Sequence, residues 1–315
     1  MAYARHETFY IRDGWLRKGL KLVEKKGFDF FNSNDAPEEL GIGKNMVQSL
    51  KFWLQATNMV ESEGERKNEP SDFAKIISKY DPYFEDEATL WLIHYYLVTN
   101  KNQATTWFWF FNVFNHKEFD EETFLFWLNN FTKTEGTTVA ASSLRKDYQC
   151  LINSYLLEKS NGKNNSPEEN INCPLRGLML IKKTGPKTYR LNQINRASLH
   201  PLIVFYAISN WPNIYHRNNS KKNDDYDLNK NDFCKCDNQS IIEKRYDKTT
   251  ISNILDDQCN AGKVFNLNYE DLIYFLEKLQ DLGYLSVTRT AGMDAVNIEQ
   301  MTPIEILETY YQNKE

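Results

Sequence analysis

The stretch APEELGIGKNMVQSLKFWLQATNMVES, residues 36–62, decides how the first third of this chain folds. Pro37 suits the first turn of a short helix, where a missing N–H leaves nothing unpaired. Gly41-Ile42-Gly43 makes a tight turn. A second helix then runs from about Lys44 to Ala56, with Met46, Val47, Leu50, Trp53 and Leu54 on one apolar stripe. The opposite face carries Lys44, Asn45, Gln48, Ser49 and Lys51. Met59-Val60-Glu61 begins a short strand, and the polar stretch up to Pro70 turns it back as a wing. Short helix, glycine turn, amphipathic helix and hairpin make the winged helix-turn-helix pattern.

Outward from this unit the chain reads as mainly helical. LRKGLKLVEKK, residues 16–26, is a helix with Leu16, Leu20 and Val23 on one face. Residues 88–98, 105–114 and 121–131 are apolar and aromatic nearly all round, which predicts buried helices. A further helix covers 142–156, a hairpin 178–192 and a buried helix 201–211. Residues 249–257 and 269–283 are two helices, 284–299 a hairpin turning near Ala291-Gly292, and 303–311 a last helix. The expected organisation is therefore a winged-helix domain at 1–79, a helical domain at 80–212, an exposed insertion at 213–238 rich in Asn, Asp and Lys, and a second winged-helix-like domain at 239–315. The helix face of that second unit (Glu270, Asp271, Glu277, Lys278) is acidic, which suits packing or protein contacts.

Composition agrees with a folded chain. Of 315 residues, 41% are hydrophobic and 26% charged, enough to bury a core in about two domains. Mean hydropathy is −0.63, and no apolar run approaches the about 18 residues of a membrane span. MAYARHETFYIRDGW lacks the apolar segment of a secretory signal. Five cysteines, an odd number, then point to a reducing cytoplasm. Cys234 and Cys236 form the one close pair, and no second pair completes a metal set.

The net charge of −5 by itself disfavours nucleic acid. Its distribution changes that conclusion. Residues 1–60 hold nine Lys or Arg against seven Asp or Glu, whereas residues 61–130 hold six against thirteen. The mildly basic segment is the one carrying the helix-turn-helix pattern. Asn45 and Gln48 are able to read adenine edges, and Lys44 and Lys51 to pair with phosphates, with Ser49 beside them. A three-helix core without nucleic acid, or a winged helix used for protein contacts, stays open as the alternative. GIGKN is not a phosphate-binding loop, because Glu38 stands where the first glycine belongs and Asn45 where Ser or Thr belongs. His94, inside an apolar run, reads as a satisfied core histidine, and the aromatic block as core rather than a stacking platform.

Two polar clusters invite chemistry. RHETFYIRDGWLRKG, residues 5–19, gathers Arg5, His6, Glu7, Arg12, Asp13, Arg17 and Lys18 around Phe9 and Trp15. DPYFED, residues 81–86, holds Asp81, Glu85 and Asp86. The cations suit phosphates. His6, Glu7 and Asp13 are the candidates for proton transfer and catalysis, and Asp81, Glu85 and Asp86 for a divalent ion such as Mg²⁺ or Mn²⁺. Ion-paired scaffolding explains the same residues. No organic cofactor is implied, and no nucleophile-base, zinc-hydrolase or dinucleotide motif is present.

RHETF followed by GWLRKG, then LGIGKNMVQSLKFWL, DPYFEDEATLWLIHY and WFWFFNVF, resembles a bacterial and archaeal family catalogued as a domain of unknown function. The resemblance covers nearly the whole chain. It implies a setting beside a cysteine desulfurase, an ATP pyrophosphatase-type sulfurtransferase and an ATPase, in the single-stranded phosphorothioation systems of phage defence. It implies a component that binds double-stranded DNA and nicks one strand, so that sulfur replaces a non-bridging phosphate oxygen. No catalytic motif carries over residue by residue. A non-catalytic adaptor that reads DNA and recruits the sulfur-transfer enzymes is the rival reading, and a purely protein-binding scaffold the third.

Overall fold

A computed structural model describes residues 1–62, 64, 66–157, 173–219, 248–290 and 293–314. The chain opens on an irregular segment and helix α1 (Trp15–Lys26), followed by a 3-10 turn at Phe28–Asn32. Then come α2 (Ala36–Leu40) and α3 (Lys44–Ala56). Gly41 ends α2 in the left-handed region (φ 60°), where a side chain would be strained. Gly19 sets how closely α1 approaches α3: a Cβ there would lie 2.9 Å from Leu54 Cδ1 and 3.0 Å from Leu50 Cδ1.

The expected wing is reduced to one bridge. Val60 pairs with Pro70, and the Glu61 and Asn68 amides donate to the Glu69 and Glu61 carbonyls. Proline removes a ladder donor, so the pairing does not extend into strands. Helix α4 (Asp72–Tyr80), which the sequence reading passed over, follows at once, its first turn capped by Ser71 Oγ accepting from the Ala74 amide at 3.0 Å.

The middle is helical: α5 (Glu87–Thr99), α6 (Thr105–Asn112), α7 (Glu121–Thr134) and α8 (Ala141–Tyr155). Helices α5 and α6 are buried nearly all round, as their composition predicts. Helix α7 is not: it buries Phe124, Leu128 and Thr132 but leaves Phe126 59% and Trp127 44% exposed. Residue 126 falls on the arc opposite the buried 124–128–132 stripe, so helix geometry turns Phe126 outward whatever its hydrophobicity, while Trp127 flanks the stripe and lies against His116.

Strands β1 (Ile181–Lys183) and β2 (Tyr189–Leu191) form the expected antiparallel hairpin, and α9 (Pro201–Asn219) follows. Residues 213–219 of the expected insertion are thus the end of a helix, while 220–238, with Cys234 and Cys236, lie outside the described residues. The C-terminal part runs β3 (Lys248–Thr250), α10 (Ile251–Asp256), α11 (Ala261–Val264), α12 (Tyr269–Asp281), β4 (Leu285–Thr290), β5 (Met293–Ile298) and α13 (Pro303–Gln312). Its three strands make an antiparallel sheet in the order β3-β5-β4. The expected turn at Ala291-Gly292 lies outside the described residues. Helix α13 starts on a capping box of Thr302 and Glu305 and packs back on α4, where Tyr311 stacks on Tyr80 at 5.6 Å between ring centroids. No helix among the described residues is long and apolar enough to cross a membrane.

Candidate nucleic-acid interface

The start of α3 is the most open part of the α2–α3 segment. Lys44, Asn45 and Gln48 are exposed, and no acid stands in the first turn. Gly43 caps the helix without a side-chain acceptor, so the orphan N–H groups add positive potential there. Lys51 is less free: its Nζ donates to Asn32 Oδ1 at 2.7 Å and lies over the Phe28 ring. Ser49 faces inward rather than to solvent. It is fully buried, its hydroxyl directed at the Phe9 carbonyl at 3.4 Å, and Trp53 Nε1 donates to the same oxygen at 3.0 Å. The RHETFY segment is thereby fastened along α3.

The cations of the first cluster take separate positions. Arg5 is exposed. Arg12 stacks over Phe9 and Trp15 at 5.6 and 5.4 Å. Lys18 Nζ donates to the Leu40 carbonyl at 2.6 Å and so closes the end of α2. Arg17 lies 4.1 Å over the Tyr83 ring, its Nε without a hydrogen-bond partner among the described residues. That stack is where the two sequence clusters meet.

His6 is fully buried. Its Nδ1 accepts from the Thr8 amide at 3.1 Å, which places the ring proton on Nε2, directed at Asp147 Oδ1 at 2.9 Å. Asp147 also accepts from the Ala4 amide at 2.8 Å and the Thr106 hydroxyl at 2.6 Å. The ring stacks on Trp53 and meets Trp107 edge-on. Ala4, Glu7 and Thr8 hold left-handed φ angles of 53°, 49° and 69°, so this hub keeps a strained loop in place. Glu7 and Asp13 lie exposed on either side of it. Sequence reasoning missed Asp147. Its signal was a lone carboxylate on the apolar stripe of α8, between Leu144 and Leu151.

The DPYFED carboxylates are committed to protein donors. Asp81, 8% exposed, accepts from the Glu85 and Asp86 amides, each at 3.0 Å, and from the Thr89 hydroxyl at 2.6 Å. Asp86 caps α5 through the Ala88 amide at 2.9 Å and also meets Tyr310 Oη at 3.0 Å and Lys314 Nζ at 2.7 Å. Burial pushes the Tyr310 phenol up to about 12. Glu85 is exposed. Among the described residues no three His, Cys, Asp or Glu side chains stand where they could hold a metal ion. Asp81 and Asp86 thus serve here as internal hydrogen-bond acceptors.

A family described as "Protein of unknown function (DUF4007)" matches residues 3–311. The chain belongs to the DUF4007 family. No curated protein matches it. In fold this DUF4007 chain is similar to a magnesium ion-bound SspB crystal structure, with a TM-score of 0.77 and 21% identity, covering 99% of this chain and 88% of that one. A second SspB crystal structure gives the same TM-score at 22% identity, with the same coverage. At these identities the likeness is one of fold.

Proposed function

We propose that this DUF4007 protein is the DNA-binding component of a DNA phosphorothioate-modification system of phage defence. It docks double-stranded DNA in the cytoplasm through a winged helix-turn-helix made of α2, α3 and the loop after it. Sulfur then replaces a non-bridging phosphate oxygen on one strand. The observation that carries this reading is the first turn of α3, where exposed Lys44, Asn45 and Gln48 surround a helix N-terminus free of acids. Family membership across residues 3–311 and the SspB-like fold support the setting. A cysteine desulfurase, an ATP pyrophosphatase-type sulfurtransferase and an ATPase are the partners that setting supplies.

Two roles fit this placement. In the first, the protein nicks the strand that will receive sulfur. The exposed acids Glu7 and Asp13, on the loop fastened to α3, are the groups open to such a reaction. In the second, it is an adaptor that presents DNA to the sulfur-transfer enzymes. Saturation of Asp81 and Asp86 by internal donors and the burial of His6 favour this second reading. Supercoiled plasmid incubated with the pure chain and Mg²⁺ or Mn²⁺ separates them. Conversion to open circle supports nicking. Salt-sensitive binding without conversion supports the adaptor, and absence of salt-sensitive binding overturns both.

A further inference from the structure

The β1–β2 hairpin carries a charge pattern that the proposed interface does not use. Between Leu178 and Asn192 the chain holds Lys182, Lys183, Lys187 and Arg190 and no Asp or Glu. The register sets Lys182 directly across from Arg190, on the face opposite Ile181 and its partner Leu191. Like charges facing one another weaken a two-stranded ladder. Among the described residues no carboxylate pairs with Lys182, Lys187 or Arg190. A folded surface that accepts this repulsion is suited to an anion from outside.

The hairpin is also held firmly. Phe119 bridges to Tyr189 with reciprocal amide–carbonyl bonds of 2.9 and 2.8 Å, and Leu156 bridges to Ile181 on the other edge. At the tip, the Thr184 and Gly185 amides both donate to the Thr188 carbonyl at 2.9 and 3.3 Å, leaving Lys187 exposed. Just before the hairpin, Arg176 stacks over Tyr10 at 5.0 Å. Tyr10 follows Phe9, whose carbonyl is held by Ser49 and Trp53 of α3. The hairpin and the helix are therefore fastened to one segment of chain.

We propose that the β1–β2 hairpin is a second DNA contact, gripping the phosphodiester backbone of the same duplex through Lys182, Lys187 and Arg190. The occupant is double-stranded DNA because the pattern is purely cationic, which suits a run of backbone phosphates. The proposal rests on the DNA-binding reading above and extends its footprint to the middle of the chain.

The test is fluorescence anisotropy of a labelled duplex with the full chain across a salt series. In Lys182→Gln, Lys187→Gln, Arg190→Gln, the Kd at about 0.15 M salt rises at least about tenfold, and the slope of log affinity against log salt falls by about 2–3. Lys187→Gln alone, at an exposed turn, lowers the slope by about 1 and cannot fail through folding. A control removing equal charge elsewhere (Lys133→Gln, Lys248→Gln, Lys278→Gln, all exposed) leaves both quantities near wild type. Unchanged affinity and slope in the triple variant, or equal loss in the control, overturns the hairpin contact while the α3 reading stands. A wild-type chain with no salt-sensitive binding overturns both.

Discussion

Removing the Asp147 carboxylate is expected to destabilise the protein more than any single change at the exposed start of α3. Asp147 is 1% exposed and receives three donors: the Ala4 amide at 2.8 Å, His6 Nε2 at 2.9 Å and the Thr106 hydroxyl at 2.6 Å. Asp147→Ala leaves all three in a dry interior at about 1–3 kcal/mol each. The Thr106 hydroxyl can rotate away, and deleting the buried charge returns part of its desolvation, so a net loss of about 3–5 kcal/mol is expected. Asp147→Asn keeps an acceptor for Ala4 and His6 and asks the Thr106 hydroxyl to accept instead of donate, at about 1 kcal/mol. Denaturant unfolding of the two variants gives the difference. Amide exchange adds a local readout: the left-handed residues Ala4, Glu7 and Thr8 relax once the hub is lost, so the amides of residues 4–9 exchange faster in Asp147→Ala. Equal stability of the Ala and Asn variants, or unchanged exchange over residues 4–9, would refute the hub.

Three further outcomes follow from the same contacts. Burial holds the His94 imidazole down at about 4, against 6.5 unfolded, so the unfolded chain takes up a proton that the folded chain refuses; wild type loses about 3 kcal/mol between pH 6.5 and 4 that His94→Gln does not, read as a flatter dependence of the unfolding midpoint on pH. Gly19→Ala gains helix propensity of about 1 kcal/mol but forces Leu50 and Leu54 aside, so the melting temperature falls and the net loss is about 1–3 kcal/mol. Phe126→Ser leaves unfolding within about 0.5 kcal/mol of wild type, since that side chain is 59% exposed.

Local signals served the sequence reading well where the element is specified by its own residues. Helix α3 runs over Lys44–Ala56 as expected, because Gly43 breaks the chain and the 46–47–50–53–54 stripe fixes the buried side. His94 is a core histidine, donating to and accepting from Val264 and Tyr155, as its apolar run suggests. What was not legible depends on distant partners. Ser49 lies at the edge of the polar face, and only the return of Phe9 against α3 buries it. The His6–Asp147 pair spans 141 residues, beyond any spacing rule. The helix-capping role of Asp86 was available in principle, since it directly precedes the run that becomes α5, while Asp81 ties down the loop before it through the Glu85 and Asp86 amides. Both aspartates share their residue type with a metal cluster, and only the positions of the amides distinguish the two uses. For the aromatic helices composition predicted burial correctly for α5 and α6, but for α7 it outweighed a polar face that the helical period puts on the same side as Phe126.

The central claim is that the start of α3 meets DNA, and a binding measurement on one exposed cation tests it most directly. Duplex binding by wild type and by Lys44→Glu, followed by anisotropy across a salt series, should show the variant about tenfold or more weaker, with a slope shallower by about 1. Because Lys44 is exposed, its melting temperature should stay near wild type. Equal affinity and equal slope for the two proteins would contradict the account.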